Sequence, residues 1–303
     1  MSEPSNTGPL FITGGTGFVG TNVVRALGNR PMRLLVRDRA KHRGLISEQV
    51  EIVEGDVTHP ASLRSAMDGC SAVLHLVAII EPTSGESFDE NIRKGTENVL
   101  NEAHAAGVGR FYQMSAIGAQ DNPDFPYHQA KWRAEQAVKS SGLTWTIFRP
   151  SVIYGPGDGF ISVLASVIRS FPIIPVVGDG KSRFQPIQVG DVAEAITNAI
   201  DDPSTTEKTL DLVGPEILTY EELLDTIAAG IGKHKRKLHL PVGLMNVIVS
   251  ASKPLPKSIR PPVTSEQLKM LALDNTSDHP ATSALLGRDP VRLADNLGYL
   301  ANV

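Results

Sequence analysis

Short apolar runs recur along the first half of the chain, separated by stretches in which apolar residues return every three or four positions. The runs Leu10–Thr13, Met32–Arg37, Val50–Val53, Ala72–Val77, Phe111–Ser115 and Trp145–Arg149 read as strands. Between them Thr21–Leu27, Ala61–Met67 and Thr96–Ala106 have helical spacing. Strand and helix alternating at this interval predict a parallel sheet covered by helices on both faces, a doubly wound α/β fold of Rossmann type. Ligands of such sheets bind beyond the carboxyl ends of the strands. The character changes near Gly155, where glycine and proline crowd Gly155–Gly159 and Phe171–Gly180. A helical stretch, Tyr220–Ala229, and a proline-rich segment, Lys253–Val263, follow. The expected plan is a nucleotide-binding domain over 9–154 plus 184–213 and a smaller substrate lobe over 155–183 plus 214–303.

Composition narrows the class. With 303 residues, 41% hydrophobic and 20% charged, the chain is an ordinary globular protein with ample material for a core. A net charge of −4 and no long basic run argue against a nucleic-acid partner. The single cysteine, Cys70, cannot form an internal disulfide and reads as a small buried hydrophobe. No signal-peptide order is seen, and the longest apolar piece, Leu240–Ser252, is broken by Pro241 and Asn246. A cytoplasmic location is expected. His75 and His128 lack partners at metal-ligand spacing, so no metal is expected.

The first strand runs into Thr13-Gly-Gly-Thr-Gly-Phe-Val-Gly20 and then a helix. Gly14, Gly15, Gly17 and Gly20 suit a tight turn that lets a pyrophosphate approach the backbone at the helix start. The second strand ends in Arg37, with Arg39 and Lys41 beyond it. Positive charge there suits a 2′-phosphate, so NADP(H) is preferred, with NAD(H) as the alternative through Asp38. Asp56 follows the third strand and suits an adenine amino group or a helix start.

Tyr127 and Lys131, in YHQAK, share a helix face. They read as a proton-transfer pair or as an ordinary amphipathic helix. Ser115, at the end of the fifth strand candidate, precedes Tyr127 by twelve residues and could hydrogen-bond a substrate oxygen.

The glycine turn, Ser115 and YHQAK, in this order, resemble the short-chain dehydrogenase/reductase superfamily in its extended or atypical branch. The likeness continues through His75–Ala78, Asn91–Val99, Arg149–Asp158 and Val189–Ala193. It implies that Ser115, Tyr127 and Lys131 are catalytic. It also implies a dinucleotide lined by Gly14, Gly17, Phe18, Val19 and Gly20, by Arg37, Asp56, Val57 and Ala78, and by Tyr127, Lys131 and Pro150. Where sugar-nucleotide members carry an arginine this chain has Phe184, with Arg183 displaced by one. That departure weakens an epimerase or dehydratase reading.

Leu210–Glu216, Leu218–Leu224, Leu240–Leu244 and Val263–Asn275 are similar to the branch containing the NADPH-binding accessory subunit of respiratory complex I. Two expectations follow. The first is an NADP(H)-dependent oxidoreductase acting on a small carbonyl or alcohol, with Tyr127 as general acid/base. The second is a non-catalytic NADPH-binding subunit of a larger complex, for which the basic stretch His234–His239 and the helix candidate Leu244–Val249 leave a peripheral membrane contact open. The enzyme stands somewhat ahead.

Overall fold

The computed structural model describes residues 8–82, 86–241, 243–245, 251 and 265–302. The helix candidate Leu244–Val249 lies largely, and the proline-rich Lys253–Val263 wholly, outside them. The chain divides into two compact units, Met1–Arg149 with Ala193–Leu210, and Pro150–Val192 with Asp211–Val303.

The first unit alternates strand and helix. In chain order these are β1 (Leu10–Thr13), α1 (Phe18–Leu27), β2 (Met32–Val36), β3 (Val50–Glu54), β4 (Ala72–His75), α2 (Gly95–Ala105), β5 (Arg110–Met114), α3 (Pro126–Lys139) and β6 (Thr144–Pro150). A seventh strand, Lys208–Leu212, lies beside β6, and the sheet order is seventh–β6–β5–β4–β1–β2–β3. The pairs β1–β2, β1–β4, β2–β3, β4–β5 and β5–β6 are all parallel. Order reverses between β1 and β4, whose carboxyl ends form the switch point where such sheets take ligands. β1 and β4 are buried at every position because helices cover both faces. Under the α2 side Phe11, Val73, Phe111 and Ile147 pack with Leu63, Met67, Val99 and Leu100. Cys70 belongs to this core, and burial pushes its thiol up.

One local expectation changes. Ala61–Met67 is not an α-helix: one 3-10 turn, Pro60–Leu63, ends before Ser65, whose φ of 56° turns the chain left-handed. The α2 helix is preceded by a π-helical stretch, Asp89–Lys94, in which Arg93 bridges Asp89 and Glu97.

The second unit has its own core, in which Ile161, Leu164 and Ile168 of α4 (Ile161–Ser170) meet Phe184 and the buried face of the helix Tyr220–Gly230. That helix opens with a capping box, Thr219 and Glu222 bonding each other's backbone amides. Asp158 accepts from the Phe160 and Ser162 amides at the start of α4, and from the Tyr299 hydroxyl at 2.5 Å. Asp191 accepts from Arg288 and the Val291 amide. No helix among the described residues is long and apolar enough to cross a membrane.

Candidate cofactor and proton-transfer site

β1 delivers the chain into a turn that requires glycine twice over. Gly14 has φ +72°, a conformation that side chains rarely adopt. At Gly20 an added Cβ would lie 2.1 Å from the Gly14 carbonyl oxygen and 2.7 Å from the Gly15 Cα. The first turn of α1 therefore sits directly on the loop that precedes it. The Gly17 amide donates to the Gly14 carbonyl at 3.1 Å, and Gly17 caps α1 with no side-chain bond. No acidic residue occupies the first turn. The amides of Phe18, Val19 and Gly20 have no partner within the helix, and the dipole adds positive potential there. A pyrophosphate fits this cradle on both geometry and charge.

At the end of β2, Arg37 is exposed and makes no ion pair or side-chain hydrogen bond among the described residues. Asp38 is occupied. It pairs with Lys41 at 3.1 Å and accepts from the Ala40 and Lys41 amides, which hold its carboxyl below the usual range. Asp38 is thus engaged within its own turn. Asp56 Oδ1 accepts from the Thr58 amide and hydroxyl at 2.8 Å in the loop ahead of the 3-10 turn, while Oδ2 has no hydrogen bond among the described residues. Val57 is buried against Gly95. Ala78 lies exposed in the loop after β4, and Pro150, the last residue of β6, is buried.

His75 ends β4, fully buried. Its Nδ1 is hydrogen-bonded to the Thr13 hydroxyl at 2.6 Å, and its Nε2 has no hydrogen-bond partner among the described residues. Burial, with the nearby Lys131 charge, lowers its imidazole to about 3, so it is neutral.

The α3 face carries Tyr127, Lys131 and Glu135 at successive turns. Lys131 is buried and donates to the Met114 carbonyl at 2.8 Å. Desolvation pushes its ammonium down to about 8, partly offset by Glu135. Two ammonium protons remain beyond the Met114 bond. The Tyr127 ring packs edge-on against Phe88, with centroids 5.6 Å apart, beside Ile79 and Ala130. Burial pushes its phenol up to about 12, and its hydroxyl makes no hydrogen bond among the described residues. Ser115 and Lys131 are brought together beneath α3, but the Ser115 proton goes to Glu135 at 2.6 Å and not toward Tyr127.

Glu135 and Arg149 complete this cluster, and the sequence reading assigned a role to neither. The signal was present: Glu135 follows Lys131 by four residues, as Lys131 follows Tyr127.

In the second unit Phe184 is core, stacked on Phe160 at 6.0 Å and tilted against Tyr220. Arg183 is held by Asp274 through Nε at 2.9 Å and Nη2 at 2.7 Å. Neither side chain stands ready for a diphosphate.

With the glycine cradle and the helix face in view, comparison with known proteins becomes informative. Residues 14–203 match the NAD(P)H-binding family. The chain belongs to this family. Its fold is that of the extended short-chain dehydrogenase/reductases. The family chain is 32% identical to ceramide reductase of Caulobacter vibrioides over 77% of its own length and 74% of that protein. It is 28% identical to NADH dehydrogenase [ubiquinone] 1 alpha subcomplex subunit 9 of Arabidopsis thaliana, covering 85% of its own length and 66% of that subunit. Its structure resembles an Escherichia coli NADPH-dependent quinone oxidoreductase complexed with NADPH, with a TM-score of 0.77 and 21% identity over 96% of this chain and 99% of the other. At that identity the likeness speaks for the fold alone. A nicotinamide cofactor is therefore the ligand of the family domain.

Proposed function

We propose that the protein is an NADP(H)-dependent oxidoreductase that exchanges a small carbonyl for its alcohol, with Tyr127 as the proton carrier. The observation that carries this reading is the buried Lys131 ammonium, one helical turn from an unpaired Tyr127 hydroxyl and with two protons to spare. An ammonium is buried at this cost where a ligand will use it. When bound, the nicotinamide supplies or accepts the hydride.

The chain's own residues do the rest. The Gly14–Gly20 turn and the Phe18–Gly20 amides hold the pyrophosphate. Arg37 selects the 2′-phosphate, which favours NADP(H) over NAD(H). Asp56 offers Oδ2 to the adenine amino group, and Val57, Ala78 and Pro150 line the cofactor. Lys131 grips the nicotinamide ribose hydroxyls. Tyr127, with its phenol near 12, rests protonated and is set to give its proton to a carbonyl oxygen, the direction of reduction. Two relatives, ceramide reductase and NAD(P)H azoreductase of Xenophilus azovorans, are named as reductases, which accords with that direction.

A screen of apolar aldehydes, ketones and quinones, followed by NADPH absorbance, tests the proposal. Turnover must appear in the wild type and vanish in Tyr127→Phe. Turnover that survives the substitution would remove Tyr127 from the chemistry.

A second reading, an NADPH-holding subunit of a larger assembly, is favoured by one observation. Ser115 and Lys131 already have internal partners, Glu135 and the Met114 carbonyl, which suits permanent cofactor binding. The complex I relative supports the same reading. The sugar-nucleotide alternative is disfavoured by the buried Phe184 and the paired Arg183.

A further inference from the structure

Glu135 is fully buried at the centre of a polar cluster that joins β5 and β6 to α3. Its Oε1 accepts from Ser115 Oγ at 2.6 Å and from Arg149 Nε at 2.8 Å; its Oε2 accepts from Arg149 Nη2 at 2.6 Å. Lys139, one turn further along α3, stands 3.7 Å from Oε2. Lys131 lies one turn before it on the same face.

A carboxylate clasped by a guanidinium is ionised and can only accept. A serine hydroxyl has one proton, and here that proton is spoken for. Ser115 can therefore offer its surroundings lone pairs but not a proton, the reverse of the role expected from its place in the motif.

We propose that Glu135 is a positioning residue of the site: it takes the Ser115 proton, so that Ser115 acts there as an acceptor, and it holds Lys131 as an ammonium, with Arg149 as its clamp. This rests on the oxidoreductase reading and deepens it, since the hydrogen-bond donor to a substrate carbonyl is then Tyr127. The groups facing Lys131 are Glu135 from α3, the Met114 carbonyl from β5 and the neutral His75 of β4. Those facing Glu135 are Ser115 after β5, Arg149 of β6 and Lys139 of α3. Burial lowers the Lys131 ammonium, and the Glu135 carboxylate opposes that shift.

The test is an NMR titration of full-length protein carrying 13C-lysine, with the Lys131 signal assigned by its loss in Lys131→Arg. Wild type, Glu135→Gln and Arg149→Met are compared, and NADPH affinity is measured on the same samples. The Lys131 midpoint is expected near 8 in the wild type. It should fall by roughly one unit when the carboxylate is lost, as for an opposite charge removed at close range. It should rise in Arg149→Met, where the carboxylate has one cation fewer to share. Shifts of the same sign, or none, would show that the Glu135 charge does not govern Lys131, and that result overturns the proposal.

A slowly exchanging hydroxyl proton from Ser115 is expected in the wild type, absent in Ser115→Ala and lost in Glu135→Gln. Its absence from the wild type overturns the acceptor role. If Glu135→Gln does not fold, Arg149→Met decides alone: a rise supports the inference, and a fall or no change refutes it. Intact NADPH binding with unshifted titrations sinks this inference and leaves the oxidoreductase reading standing. Failure of every sample to bind NADPH sinks the reading, and the positioning role with it, whatever the titrations show.

Discussion

Replacing Gly20 by alanine perturbs the cofactor turn with the smallest of side chains. The added methyl would sit 2.1 Å from the Gly14 carbonyl oxygen and 2.7 and 2.8 Å from the Gly15 Cα and carbonyl carbon. All three neighbours are backbone, so no flexible side chain can swing away; α1 or the turn must move by about 1 Å to restore ordinary contact. Forcing extra volume into a packed position costs about 1–3 kcal/mol. Alanine recovers about 1 kcal/mol through its better helix propensity. The net loss is about 0–2 kcal/mol, up to several degrees in Tm at about 2–4 °C per kcal/mol. NADPH affinity should fall further than stability, since the shift displaces the amides of the cradle. Gly109→Ala is the control, because an added Cβ there meets nothing within 4 Å. Thermal unfolding and fluorescence titration with NADPH read both effects. A Gly20→Ala protein that melts and binds like the wild type would refute the argument.

Other outcomes follow from the same geometry. Arg37→Ala should lower NADPH affinity by about tenfold or more, the range of one lost charged hydrogen bond, while leaving NADH affinity nearly unchanged; isothermal titration with both cofactors checks this. Tyr127→Phe should reduce turnover by about 10²–10⁴-fold with little change in NADPH affinity, in steady-state and binding assays side by side.

The pH dependence has two opposite signs. Lys131 is lowered from 10.5 to about 8, so between these values the unfolded chain holds a proton that the folded chain lacks. Stability should rise with pH across that window, whereas NADPH affinity should fall as the ammonium is lost above about 8. Melts and titrations at both ends of the window, with Lys131→Met as reference, separate the two trends. Arg183→Ala should leave NADPH affinity unchanged, because its guanidinium is spent on Asp274.

The hydrophobic pattern carried the sheet: β1, β3 and β6 lie within one residue of their runs at each end, β1 because a strand buried on both faces is written as a short continuous apolar stretch and β3, at the sheet edge, because its buried positions alternate with exposed ones. The glycine turn was equally legible, because φ at Gly14 and the contact at Gly20 permit few other residues. Periodicity failed where a single backbone angle decides, as at Ser65, which cuts Ala61–Met67 to one turn. It was also blind to the π-helical entry into α2. Arg37 was put ahead of Asp38 on charge alone; that Asp38 is engaged by Lys41 and by two amides of its own turn could be seen only in the structure. Glu135 was hidden for a related reason. Its spacing from Lys131 is visible, but its importance lies in Ser115, twenty residues before it, and Arg149, fourteen after. Only the packing of α3 on β5 and β6 brings those groups within reach.

The measurement that bears most directly on the oxidoreductase reading is the release rate of NADPH, by stopped-flow displacement from the purified protein with excess competitor. An enzyme that exchanges reduced for oxidised cofactor must let NADPH go on the timescale of turnover, commonly about a second or less. The account predicts release in that range. Retention for hours would contradict it and point to a cofactor held for structure.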